Sequence, residues 1–321
     1  MVIFNRSRHA DKPSQTRKNL AVLARRLRLH PEELAATPLD YAAVQIPKRH
    51  GAGKRQLLIP NRRLKAVQCA LLRRMFNRFD PHHHATGFRR AHSIVTNAAV
   101  HQRMAVVVNL DIHNFFGSTT EARVGAFYES LLWDAPAVKL LVKLTTHANG
   151  LPQGAPTSPA LSNLVNVTMD ARLEGYAEVL CARYTRYADD ITFSLPENNP
   201  GKIHQLIRFT QSLLHGYGYR VHTHKKLHIS HAHDRQLVTG LVVNDHVNLP
   251  RSTRRWLRAV EHRRATGNPA TLTDEQIAGW KALRAMVAAQ SRPRVYEEIP
   301  FDADPTSGDP SAYDFYAFDG W

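Results

Sequence analysis

The stretch from Arg183 to Leu195, with Tyr187-Ala188-Asp189-Asp190 at its centre, constrains this chain more than any other. Strand-like runs rich in β-branched and aromatic residues, Arg183 to Tyr187 and Ile191 to Leu195, flank a short Ala/Asp tip. Such a segment turns back on itself as a hairpin and carries its two acids at the turn. Adjacent carboxylates repel each other unless a positive charge sits between them. A divalent metal fits, because Mg²⁺ takes one or two carboxylates and leaves its other positions to water and phosphate. The same letters also make a good solvated turn, so the choice falls to the rest of the chain.

With 321 residues, the chain has room for one large or two to three small domains. Its formal net charge of +16 points to a polyanionic partner, most often nucleic acid, more than to a solubility device. The two cysteines, Cys69 and Cys181, have no metal-ligand spacing, so a reducing compartment is expected. The N-terminus lacks the apolar core of a signal peptide, and no apolar run reaches membrane-spanning length. The expected location is the cytoplasm, with no membrane partner.

In chain order, a helix is expected from Ser14, as cap, to Leu29, and a short one from Pro31 to Ala36, within a basic lead-in covering residues 1–45. Ile46 to Pro60 reads as two strands joined by a Gly-containing turn and studded with Lys48, Arg49, Lys54 and Arg55, a device suited to closing over a triphosphate. Helices follow from Arg62 to Phe79 and after Ser93. Asn97 and His101 fall on one helical face. They join Arg254, Arg255 and Arg258 as candidate nucleic-acid contacts, although such a pair is more often hydrogen-bonded core. Ala105 to Ile112 reads as a buried strand with Asp111 near its end, where a lone acid needs a counter-charge. A bend at Asn114–Gly117 leads to a helix from about Thr120 to Leu132. The Pro/Gly-rich loop 150–159 feeds a helix from Ser158 to about Leu180. Past the hairpin come a helix from about Gly201 to His215, strands around 219–229 and 236–243, and helices 252–265 and 273–290. Beyond Arg294 there is no Lys or Arg but seven acids interleaved with aromatics. This tail, residues 293–321, is expected to dock on the basic body or on a partner protein; a disordered tail is the alternative.

Taken in order, these pieces resemble the retron-type bacterial reverse transcriptases over roughly residues 40 to 290. Tyr187-Ala188-Asp189-Asp190 is similar to the family's polymerase signature. Val108 to Phe116 resembles the motif carrying the first catalytic aspartate, and Leu151 to Asn163 is similar, almost letter for letter, to the loop supporting the incoming nucleotide. Asn97 to His101 and Val238-Thr239-Gly240 look retron-like more narrowly. The resemblance implies an α+β, right-hand polymerase: fingers and palm over 46–250, the palm with a small antiparallel sheet, and a helical thumb over 251–292. It implies catalytic Asp111, Asp189 and Asp190, holding two Mg²⁺ ions with the Ile112 carbonyl. Lys48 and Arg55 would hold the β and γ phosphates of a dNTP, and Lys226 would approach them from the palm. Gln153 would lie against the nucleotide, and Phe116 would pack under the sugar and exclude a 2′-hydroxyl.

The implied function is reverse transcription of a cognate structured noncoding RNA, self-primed from a guanosine 2′-hydroxyl, to a branched RNA–DNA product in anti-phage defence. With polymerase and tail filling the chain, a separate effector protein is expected, and an RNase H, maturase or endonuclease domain is not. The rivals are another stand-alone bacterial reverse transcriptase without retron RNA and a catalytically silent RNA-binding scaffold. His82-His83-His84 and the run His222, His224, His228, His231 and His233 invite a zinc reading. Neither region supplies a cysteine, and strand alternation already gathers His222, His224, Lys226 and His228, so a surface leaning on phosphate is preferred.

Overall fold

The structure, a computed structural model, describes residues 17–47, 53–222, 227–267 and 271–291. It begins with helices α1 (Leu20–Leu27) and α2 (Pro31–Ala35), then an antiparallel hairpin of β1 (Tyr41–Pro47) and β2 (Lys54–Pro60). The cap of α1 is Asn19, whose side chain accepts from Val22 N, so the expected start at Ser14 is wrong by about a turn and a half. The cause is tertiary: Lys18 is bridged to Trp133 in extended form, its N–H bonded to Leu132 O at 2.7 Å and its carbonyl to Asp134 N at 2.9 Å. Backbone committed to a bridge cannot enter a helix, and an Asn cap, worth about 1 kcal/mol, starts the helix at the next opportunity.

Next come α3 (Arg62–Arg74), a 3₁₀ turn at Phe76–Arg78, and α4 (Ile94–Ala99), whose Ser93 cap matches the sequence signal and whose Thr96 completes a capping box. Strand β3 (Val106–His113) follows, then the short α5 (Phe115–Ser118), α6 (Glu121–Ser130), α7 (Ala135–Thr145), α8 (Ser158–Leu164) and α9 (Val167–Val179). Helix α7 has no counterpart in the sequence reading. It starts on an Asp134 cap with Pro136 in its first turn and buries Ala137, Leu141 and Leu144. The single helix expected over 158–180 is two. At the break the Asn166 side chain donates to Ser162 O (2.7 Å) and Tyr219 Oη (2.9 Å) and accepts from Arg123 (2.7 Å), competing locally with the helical backbone.

The chain closes with β4 (Arg183–Tyr187), β5 (Asp190–Leu195), α10 (Pro200–Gly216), β6 (Arg220–Val221), β7 (His228–His231), β8 (Leu237–Val238), β9 (Leu241–Val242), α11 (Arg251–Ala265) and α12 (Asp274–Gln290). In the central antiparallel sheet β4 pairs with β5 and β5 with β3, while β6 and β7 share the far edge of β3. The two long strands expected after α10 are therefore short pieces. The acidic tail, which falls within residues 292–321, lies outside the described residues.

Alternation along β3 explains its nearly unbroken apolar run. Val106, Val108, Leu110 and Ile112 enter a core with α9, α10 and the inward residues of β4 and β5. Val107, on the opposite face, enters a second core with α4, β8, β9, α11 and α12. Full burial of each such side chain contributes about 1.5–3 kcal/mol. Only toward its end, at Asn109 and Asp111, does the second face turn polar. A third core gathers α1, α2, α3, α6, α7 and α8. Among the described residues no helix is long and apolar enough to cross a membrane.

Candidate active site

The register of β3 against β5 sets Asp111 directly opposite Asp190. Cross-strand partners share a face of the sheet, with Cβ atoms about 4.5–5.5 Å apart. Ile112 N donates to Asp189 O at 3.0 Å, holding the second tip residue against the same strand. Residues almost 80 positions apart in the chain thus put three carboxylates at one end of the sheet. Asp111 is buried, Asp189 half-buried and Asp190 exposed. From the other edge His222 N donates to Asp111 O (3.0 Å), and His222 Nε2 lies 3.5 Å from Asp111 Oδ1. A set of carboxylate oxygens beside a backbone carbonyl is a hard-donor set, which suits Mg²⁺ and not a soft metal.

The tip itself is under tension. Ala188 adopts a left-handed φ of 58°, uncommon for a residue with a Cβ. Sequence reasoning passed over what holds it there. Arg186, fully buried, donates Nη1 to Ala188 O at 3.1 Å and forks onto Asp170 of α9 through Nε (2.7 Å) and Nη2 (2.6 Å). Burial works to lower the Arg186 pKa, but the Asp170 carboxylate outweighs it and holds the guanidinium above its ordinary value. Tyr184 Oη donates to the same carboxylate at 2.8 Å, and the Phe115 ring lies 5.4 Å from the guanidinium. The only sequence signal was an Arg on a strand position that alternation turns inward.

Segments that feed the tip also meet it closely. Gly87 lies so near that a Cβ there would stand 2.5 Å from Ala188 N. Asn163 Nδ2, from the Pro/Gly loop motif, donates to Gly87 O at 2.8 Å. The loop's Gln153 carbonyl accepts from Leu58 N of β2 at 2.8 Å, and Leu151 N donates to Phe116 O at 3.0 Å. One connected backbone framework therefore links Gln153, Phe116 and the β1–β2 hairpin to the sheet end. Gln153 and Phe116 are half-buried, and the Phe116 ring is 5.9 Å from that of Phe88. Arg55 is exposed on β2. Lys48 and Lys226 lie outside the described residues.

Two candidate RNA contacts need correction. Asn97 and His101 are 1% and 0% exposed, out of reach of a nucleic-acid chain. His101 bonds through both ring nitrogens, to Ser194 Oγ and Thr185 Oγ1 at 2.8 Å each, and Asn97 Oδ1 accepts from Thr86 Oγ1 at 2.6 Å. The pair braces the β4–β5 hairpin from behind. Helix α4, which carries Asn97 and ends just before His101, is in turn held by the second short motif, since Thr239 Oγ1 donates to Ile94 O at 2.8 Å and Val238 packs with Val95, Ala98 and Ala99. Arg254, Arg255 and Arg258, by contrast, form an exposed face of α11 whose other side buries Leu257 and Val260. The histidine triplet does not form a phosphate-facing surface: all three imidazoles converge on Glu174 of α9.

Comparison with known proteins points to one family. The family described as reverse transcriptase (RNA-dependent DNA polymerase) matches residues 46–257. The retron Mx162 reverse transcriptase of Myxococcus xanthus is 37% identical over 280 residues, covering 77% of this chain and 57% of that protein. The retron Ec86 reverse transcriptase of Escherichia coli is 32% identical over 255 residues, 78% of each chain. The retron Mx65 reverse transcriptase of Myxococcus xanthus is 35% identical over 70% of this chain and 56% of its own length. The match thus spans little more than half of the two Myxococcus proteins. With an α+β polymerase fold, its acidic triad at the sheet end and these relatives, the chain belongs to the reverse transcriptase family, among the retron reverse transcriptases.

Proposed function

We propose that this chain is the RNA-directed DNA polymerase of a retron. It would copy a cognate structured noncoding RNA from dNTPs, starting at a guanosine 2′-hydroxyl and leaving a branched RNA–DNA product, in anti-phage defence with a separate effector protein. The observation that carries the polymerase reading is the register that opposes Asp111 and Asp190, with Asp189 bound to the neighbouring residue.

On this reading Asp111 and Asp189, with the Ile112 carbonyl, would hold two Mg²⁺ ions, and Asp190 would assist. Such ions stabilise the attacking and leaving oxygens of an in-line displacement at phosphorus. The protein's own part is positioning. Arg186 pins the tip, His101 braces the hairpin, and the Gln153 loop and Phe116 shape the seat of the base and sugar. Arg55, and by resemblance Lys48 and Lys226, would neutralise the triphosphate. Arg254, Arg255 and Arg258 would line the path of the template–primer duplex as the thumb's contribution.

The test is to purify the chain with its nucleic acid, sequence what is bound, and assay dNTP incorporation on that RNA. A 2′-linked RNA–DNA species supports the whole reading. DNA synthesis on unrelated primed RNA with no dedicated RNA bound would support a stand-alone reverse transcriptase, and no synthesis on any template would leave a silent scaffold.

A further inference from the structure

Outside the polymerase centre, the loop between the 3₁₀ turn and α4 carries three consecutive histidines. The fold brings them to Glu174, 90 residues after His84 in the chain. His82 Nε2 lies 3.1 Å from Glu174 Oε2, His83 Nε2 2.7 Å from Oε1, and His84 Nδ1 2.6 Å from the same Oε1. One donor atom from each of the four residues falls within 4.8 Å of all the others.

A plain hydrogen-bonded cluster accounts poorly for this packing. The His84 Nδ1 contact does not have the geometry of a hydrogen bond, so a buried nitrogen sits against the carboxylate without a proton partner. The rings crowd to centroid separations of 4.6, 4.2 and 6.0 Å. Three imidazole nitrogens and one carboxylate oxygen are a donor set suited to a borderline divalent metal. Around tetrahedral Zn²⁺, with bonds of about 2.0–2.2 Å, donor atoms stand about 3.3 Å apart. The three carboxylate contacts would open by about 0.2–0.7 Å to reach that spacing, and the wider donor separations, all within 4.8 Å, would close onto it.

We propose that His82, His83, His84 and Glu174 form a structural site for a divalent transition metal, Zn²⁺ by preference, separate from the Mg²⁺ centre. Its position gives it a purpose. The residues just after the ligands lie along the hairpin: Arg186 N donates to His84 O and Thr86 N to Arg186 O, each at 2.9 Å, before Gly87 meets Ala188. An ion here fastens that segment to α9, the helix that also supplies Asp170. The His83 side chain is 65% exposed, which leaves a route from solvent and a ligand that can be removed without opening the core.

The experiment uses tag-free full-length protein in millimolar Mg²⁺, stripped of transition metal and titrated with Zn²⁺ and, separately, with Co²⁺. The expected results are one tightly held Zn²⁺ per chain, the visible absorption of four-coordinate Co²⁺, and a Tm raised by about 5 °C at a hundredfold excess over Kd. His83→Ala and Glu174→Gln should each weaken binding at least tenfold, and Asp189→Asn should leave it unchanged. No Tm rise, or an equal rise in the parent and in both ligand variants, would overturn the proposal.

Discussion

Arg186 and Asp170 form a fully buried, two-pronged ion pair directly behind the acidic tip, with the third Arg186 nitrogen, Nη1, donating to the Ala188 carbonyl. The pair couples helix α9 to the turn that carries Asp189. Asp170→Asn strands a buried charge and should cost about 3–5 kcal/mol, read from urea unfolding. Replacing both partners with apolar residues, Asp170→Leu with Arg186→Met, should recover much of that loss. It should not recover primer extension, because Ala188 loses the donor that fixes its carbonyl.

Gly154 sits at φ +123°, and a Cβ there would stand 2.8 Å from Leu58 O. Gly154→Ala meets backbone strain and a backbone clash together and should destabilise by about 1–3 kcal/mol. It should also separate the Gln153 loop from β2. Steady-state kinetics on a primed RNA template should then show a several-fold rise in KM for dNTP. A variant with parental KM would dissociate that loop from nucleotide binding.

The buried His101 makes stability depend on pH. Burial foremost, then the charges of Arg183 and His84, push its pKa from 6.5 down to about 3. The folded protein therefore keeps this imidazole neutral while the unfolded chain takes up a proton below about pH 6.5. Its contribution is fully present above pH 6.5 and is lost as the pH falls toward 3, at up to about 1.4 kcal/mol per pH unit. Between pH 7.5 and 5.0 this single group should account for about 2 kcal/mol of lost stability. Urea midpoints of the parent and His101→Gln at the two pH values isolate it, with the variant's fall smaller by that amount.

The exposed arginines of α11 should act through phosphate. Changing Arg254, Arg255 and Arg258 to Gln should leave Tm within about 2 °C, since surface substitutions seldom move stability by more than about 0.5 kcal/mol. RNA affinity should fall, and the slope of log K against log salt should shrink by up to about two to three. An unchanged slope would place the nucleic acid elsewhere.

Much of this was legible in sequence because its causes are local. The Asp-Asp tip between β-branched runs, the Ser93 cap and the helical runs that became α11 and α12 all announce themselves within a few residues. The site's hidden half depends on tertiary partners. Nothing near Arg186 reveals that α9 will place Asp170 against it, and nothing near His82 reveals Glu174. Asn97 and His101 look alike on paper whether they face RNA or the back of a hairpin; only the fold shows that their partners are Thr86, Thr185 and Ser194. The early start assigned to α1 failed similarly, because the pairing of Lys18 with Trp133 is invisible in a window around Ser14.

The central claim is that Asp111 and Asp189 act as one metal-holding unit. It is tested most directly by Mg²⁺-dependent primer extension with Asp189→Asn, measured beside RNA affinity on the same preparations. The account predicts synthesis reduced to background while RNA affinity stays within about twofold of the parent. DNA synthesis at the parental rate by Asp189→Asn would contradict it.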